Sequence, residues 1–236
     1  MKGVLMVEKL KHPYIKKYAT RKGIQIWLVD GEYVRKNIDE EFTNFGQHYR
    51  FTYIPLDEFW IDQEAQNQEY SFFIDHLFAE YNLMKAGKSY DDAITVADQI
   101  ELKQRRKAKD DRKILTNSKG LPDLTVVHVS LWKKLEDGVG VWIVDGRLVR
   151  SLFDRDFTEG GHYHVYEFIP KDEVWIDDAI EENERRFVLL HELHEFNQMA
   201  KGMPYSKAHA ESSKLELRCR EHQDELHDAL AAEGWS

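Results

Sequence analysis

The chain has 236 residues, with 33 Lys and Arg against 43 Asp and Glu and a formal net charge of -10. That balance argues against general affinity for nucleic acid or anionic membranes, which depends on clustered Lys and Arg. Aromatic residues make up 12%, more than a disordered chain carries, and the length suits two small domains with a modest core each.

A single cysteine, Cys219, excludes an internal disulfide. No basic-then-apolar leader is legible at the N-terminus, and no apolar run approaches the roughly 20 residues that a membrane span requires. A soluble, cytoplasmic protein is expected.

Read in chain order, the sequence repeats itself. Residues 23–105 and 138–220 align without a gap: "WLVDGEYVR" with "WIVDGRLVR", "IPLDEFWID" with "IPKDEVWID", and "HLFAEYNLMKAGKSYDDA" with "HELHEFNQMAKGMPYSKA", always 115 positions apart, as Asp30 is from Asp145. Solenoid repeats run roughly 20 to 50 residues, so a period this long means duplicated domains. The expected division is a first module over 1–105, a linker over 106–125 containing "NSKGLPD", and a second module over 126–236. Residues 1–22 are expected to add a leading element equivalent to 121–137.

Within each module the apolar runs around Asp30-Gly31 and Asp145-Gly146 predict a hairpin closed by a type I′ turn. After an acidic loop with Asp154 and Asp156, "HYHVYEFI" alternates as a half-buried strand does, and "EVWID" beyond Pro170 predicts another. A small, mostly antiparallel sheet follows. From about Asp178 the period lengthens: Phe187, Leu190, Leu193, Phe196 and Met199 recur at helical spacing, with Gly202 placed to end the helix. A second helix begins near Ser206 and runs through Ala208, Ala210, Leu215 and Leu217, and the tail from Glu221 either prolongs it or forms a third. The fold class is α+β: a sheet followed by two helices, written twice. The basic stretch from Lys103 to Lys113, which includes Arg105 and is interrupted by Asp110 and Asp111, reads as a solvated helix end, with an anion patch, and through it a nucleic-acid-binding role, as the alternative.

The residues that could carry chemistry lie in the second copy. In "LLHELHEF", His191 and Glu195 are four apart and share a helix face, His194 offers an alternative spacing, and Glu192 stands about a quarter turn away. The next helix, "YSKAHAESSKLE", offers His209 and Glu216. Two imidazoles and a carboxylate leave a fourth position for water, as a catalytic zinc site requires. The candidate zinc ligands are therefore His191, Glu195, His209 and Glu216, with Glu216 either behind the site or a substitute ligand, and Glu192 is the candidate general base. His162, which follows Gly160-Gly161, is a candidate for a further ligand or for stabilising an oxyanion. The first copy keeps His76 and Glu80 but has Leu77, Ala79, Ile94 and Gln47 in place of Glu192, His194, His209 and His162. Such a pattern is expected where one copy keeps a site and the other becomes scaffold. Residues present in both copies, such as Tyr90 and Tyr205, Trp60 and Trp175, or Met84 and Met199, are read as folding residues.

This order of parts resembles the minimal, gluzincin-like zincin metallopeptidases: a strand ending in an acidic turn, a helix bearing H-E-x-x-H, and a second helix that supplies a third ligand. The resemblance covers roughly residues 138–220. It implies that His191 is the first ligand, Glu192 the general base, and His209 the ligand that the family takes from its second helix, usually a Glu. The departure is Glu195, which puts a carboxylate where the family has its second histidine. The arrangement is also similar to that of bacterial and phage proteins with an H-E-x-x-E motif followed by A-H, a likeness that implies no activity. The function expected is a zinc-dependent hydrolase, most simply a peptidase acting on a peptide or protein, with the strand Glu173 to Asp177 as an edge for extended substrate. The alternative is a non-catalytic interaction protein in which any metal is structural or absent. In both readings the modules pair pseudo-symmetrically within a monomer.

Overall fold

The structure is a computed structural model that describes residues 12–108 and 123–235. The first module comprises β1 (Tyr14–Arg21), β2 (Ile24–Val29), α1 (Gly31–Asn37), β3 (Phe45–Gln47), β4 (Glu58–Asp62), α2 (Tyr70–Lys85) and α3 (Tyr90–Lys107). The second repeats this order as β5 (His128–Lys134), β6 (Gly140–Val144), α4 (Gly146–Leu152), β7 (Gly160–His162), β8 (Glu173–Asp177), α5 (Arg185–Ala200) and α6 (Tyr205–Glu221). It then adds α7 (Leu226–Ala232), so the tail forms a helix of its own. The fold class is α+β, as expected. The leading strands β1 and β5 are the elements foreseen ahead of the repeat. Most of the expected linker, over 109–122, lies outside the described residues. Among those described, no helix is long and apolar enough to cross a membrane.

Each sheet has four strands, in the orders β1-β2-β4-β3 and β5-β6-β8-β7. The outer pairs are antiparallel and the central pairs, β2 with β4 and β6 with β8, are parallel. Period-2 alternation sends Phe59 and Ile61 of β4 towards α2, where they meet Phe73 and Leu77, and sends Trp60 to the opposite face with Val34 and Phe42. Each of these fully buried side chains is worth roughly 1.5 to 3 kcal/mol. Ser89 caps α3 by accepting from the backbone of Asp92. Gly87 and Gly202, at φ +89° and +91°, end α2 and α5 in the left-handed conformation that glycine adopts without strain.

Several expectations are corrected. The Asp-Gly pairs do not close hairpins: the parallel partnering of β2 with β4 needs a crossover, and the chain enters α1 and α4 at these residues. Asp30 and Asp145 instead cap those helices, accepting from Tyr33 and Leu148 at 2.9 and 2.8 Å. Gly31 and Gly146 are needed because Asp62 and Asp177 press against them, leaving no room for a Cβ. The segment "HYHVYEFI" is a strand only at its first residue; after His162 the chain turns, with Tyr166 N–H donating to the His162 carbonyl. The strand Glu173–Asp177 is internal, between β6 and β7, so it offers no edge. Arg105 is buried, not solvated.

Arg105 belongs to a duplicated ion-pair chain that joins the modules. In the first module His76 bonds Glu101, Glu101 bonds Arg105, and Arg105 bonds Glu69 at 2.7 Å. Glu69 then crosses to Arg150 of the second module at 2.6 and 2.9 Å, and Arg150 holds Asp177 at 2.7 Å. Starting from the other copy, His191, Glu216, Arg220 and Glu184 are linked in the same order. Glu184 crosses to Arg35 at 3.4 Å, and Arg35 holds Asp62 at 2.8 Å. The helices obey the same exchange, α1 packing on α6 and α3 on α4. This reciprocity is that of a two-fold dimer contained in one chain.

Candidate metal centre

α5 and α6 lie side by side, and their facing surfaces bring together residues that are 18 positions apart in sequence, His191 and His209. His191 Nε2 lies 3.1 Å from His209 Nδ1 and 3.7 Å from Glu195 Oε2, and His209 Nδ1 lies 2.8 Å from Glu195 Oε2. Zinc bonds of about 2.0 to 2.1 Å in a tetrahedron put ligand atoms about 3.3 to 3.4 Å apart. The three donors lie 2.8 to 3.7 Å apart, a range that brackets that spacing, and imidazole nitrogen and carboxylate oxygen are ligands that zinc accepts. His194 is not among them: it points to the C-terminal helix, where its Nδ1 meets Glu233 at 2.7 Å. Glu195 is therefore the residue that faces the cluster.

The outer nitrogen of each imidazole is held by a carboxylate. His191 Nδ1 donates to Glu216 at 2.9 Å, and His209 Nε2 faces Glu41 of the first module at 3.5 Å. Protons kept on those nitrogens would let the inner ones ligate once they give up their bonds to Glu195, an arrangement that fixes ring orientation and raises ligand basicity. Glu216 thus stands behind His191, engaged also by Arg220, instead of ligating. Glu41 could not be read from the repeat, because it comes from the other module and the first copy is where chemistry had been discounted.

His162 is fully buried and bonded to Glu195. Its Nδ1 accepts from the His164 backbone at 3.2 Å, so its Nε2 carries the proton and donates to Glu195 Oε1 at 3.1 Å. In the first module Gln47 reproduces both bonds: its Oε1 accepts from the Tyr49 backbone and its Nε2 donates to Glu80 at 2.6 Å. His162 therefore positions Glu195, and it also forms with Glu192 and Glu195 a second group of possible ligand atoms within 4.8 Å of one another.

Glu192 lines a cavity of about 100 Å³ together with His191, His209, Glu40, Glu41 and Ser213. Gly160 makes the room: a Cβ there would come 2.9 Å from Glu192 Cγ. The equivalent of Gly160 in the first copy is Phe45, and that of Glu192 is Leu77, so one copy fills with apolar atoms the space that the other leaves for a carboxylate. Burial pushes the Glu192 carboxyl up to about 7, against the opposing pull of His162 and His191. Burial also acts to raise Glu195, but bonds from His162, His191 and His209 hold it well below the usual carboxylate range. Hydrogen bonds to Glu195 and Glu41 carry His209 up to about 9. Burial lowers His191, and its bonds to Glu195 and Glu216 outweigh that and hold it well above the usual histidine value.

Tyr90 and Tyr205, read as folding residues, instead line a second cavity, of about 400 Å³, between the modules. Tyr205 is 47% exposed. Comparison of the chain with protein-family models, with curated proteins and with solved structures found no match.

Proposed function

We propose that the second module is a zinc-dependent hydrolase centre, most simply one that cleaves peptides or proteins. The observation that carries this reading is the convergence of His191 Nε2, His209 Nδ1 and Glu195 Oε2 within 3.7 Å of one another, with a carboxylate behind each imidazole. Zinc held by these three would supply a Lewis acid and lower the pKa of water at a fourth position. Glu192, beside His191 in the same cavity, would take a proton from water and return it to the leaving group. His162, Glu216 and Glu41 hold the three ligand side chains in place. The first module is then a wall of the site, not a spectator, since Glu41 belongs to it.

A second reading is favoured by the first module, where His76 sits between Glu80 and Glu101 at 3.4 and 2.9 Å with no third donor equivalent to His209. There the same frame is stable as an ion-pair staple, and the His191 cluster could serve likewise in a non-catalytic interaction protein. Elemental analysis after zinc loading and dialysis, followed by a fluorogenic peptide screen, separates the two. The hydrolase reading expects near one zinc per chain, its loss in His209→Ala, and loss of turnover with metal retained in Glu192→Gln. No retained zinc, together with a melting temperature unmoved by His209→Ala, would leave the interaction protein.

A further inference from the structure

The larger cavity runs from His209 and Tyr205 in the second module to His76 and Glu80 in the first, and the metal reading uses only its His209 end. Two of its carboxylates are engaged. Glu80 accepts from Gln47 and faces His76, and Glu41 faces His209. Its two arginines act on nearby carboxylates at a distance, Arg50 on Glu41 and Arg155 on Asp156 and Asp98, without a hydrogen bond or ion pair to them. The guanidinium of Arg50, on the exposed surface, rests on ring faces, with Cζ 4.7 Å from the Tyr90 centroid and 5.3 Å from that of Phe51. It forms no hydrogen bond or ion pair among the described residues. Arg155 approaches from the second module, half-buried, and its Nε is buried with no partner. The third carboxylate, Asp156, feels the charge of Arg155 but forms no hydrogen bond or ion pair with either arginine among the described residues. A buried N–H left unpaired is costly, and the planar guanidinium fork matches a carboxylate or phosphate.

We propose that this cavity binds an oxyanion, a carboxylate or phosphate group, between Arg50 and Arg155, and so presents the remainder of the same molecule along Tyr205 to His209. The ligand counts as a substrate only on the hydrolase reading; the anion site itself is independent of metal. It gives the two-module architecture a division of labour, with Arg50 in the first module and the donor cluster in the second.

The test is titration calorimetry on the full chain with phenyl phosphate, 3-phenylpropanoate and the neutral 3-phenylpropanamide, run on zinc-loaded and chelator-treated protein. At least one anion should bind roughly tenfold or more tighter than the amide, in both preparations, and Arg50→Gln or Arg155→Gln should each remove the preference. Arg50 is exposed, so its variant keeps the native fold and decides the matter even if Arg155→Gln is unstable. Whichever anion binds more tightly names the group recognised. Equal affinity for anions and amide, or a preference that survives both substitutions, overturns the site. A preference seen only with zinc places the anion on the metal, which also overturns the arginine site but leaves the hydrolase reading intact. A metal-independent preference in a chain that retains no zinc does the reverse.

Discussion

Where the second module leaves Gly160 open above Glu192, the first packs Phe45 against Phe73 and His76 at 4.6 and 5.1 Å and buries Leu77 beside them. Where the second has His209, the first has Ile94. Yet the ion-pair chain behind these positions, from histidine through glutamate and arginine to the other module, is the same in both. The difference separates two jobs that a single cluster would confound. His76 and His191 begin a structural chain present in both copies, whereas Glu192, His209 and the space under Gly160 occur in the second copy alone.

The largest expected effect tests the shared part. Arg150→Met leaves Asp177 buried without its cation, and Glu69 with Arg105 alone, and should cost about 3 to 5 kcal/mol, read as a fall in the denaturant midpoint; Arg35→Met, at the symmetric position, should fall in the same class. A cost below about 1 kcal/mol at either position would show that the two crossings are not equivalent.

Next is the pH dependence of the first module. His76 is faced by Glu80 on its own helix, by Glu101 and Asp98 of α3, and by Asp156 on a loop of the second module. Burial lowers its pKa, but bonds to Glu101 and Glu80 outweigh that and carry it from 6.5 to about 9. Because the folded value is raised, the stabilisation is complete below pH 6.5 and is lost as pH rises through about 9, a change on the order of 3 kcal/mol. Asp98, pushed up to about 7 by burial, acts in the same direction but has finished titrating by then. Urea midpoints from pH 6 to 9.5 should therefore decline, with His209 acting in the same direction through about 9, and His76→Gln should remove part of the decline; an equally steep profile in that variant assigns it to other groups.

A smaller effect probes the part that differs. Gly160→Ala drives a methyl towards Glu192 and should cost about 1 to 3 kcal/mol, a cost that shrinks in a Glu192→Ala background if Glu192 is the obstacle. A double-mutant cycle in thermal melts measures that coupling, and strict additivity would place the strain at the Trp175 carbonyl, 3.1 Å away, instead. The smallest effect compares two replacements of one residue. His162→Ala should weaken zinc binding about 10- to 100-fold, while His162→Gln, which copies Gln47, should stay within a few-fold of the parent. Equal losses would return His162 to the list of ligands.

Much of this was legible in the sequence because local rules agree with the fold: the repeat, both helices of each hairpin, their glycine ends, and the approach of His191 to His209 across them. What stayed hidden depends on partners distant in sequence. Asp30-Gly31 carries the signature of a hairpin turn, but the same aspartate is an equally good helix cap, and only the parallel pairing of β2 with β4 decides between them. Periodicity over 162–169 has the alternation of a strand without a neighbour to pair with, so the chain turns at His162. Arg35, Arg150, Glu69 and Glu184 look like surface charges until the two modules meet. Their recurrence at matching positions in both copies, with Arg105 and Arg220, was the available signal that they are buried.

The reciprocal crossing of Arg35 to Glu184 and Arg150 to Glu69 also bears on what the protein was free to become. Two separate copies of one module, joined by the same contacts, would be bound to identical sequences, so any residue lost from one pocket would vanish from both. Covalent tandem fusion lifts that constraint. One half can fill its pocket with Phe45 and Leu77 while the other keeps Gly160 and Glu192, and the inherited symmetry of the seam survives the divergence of what it joins.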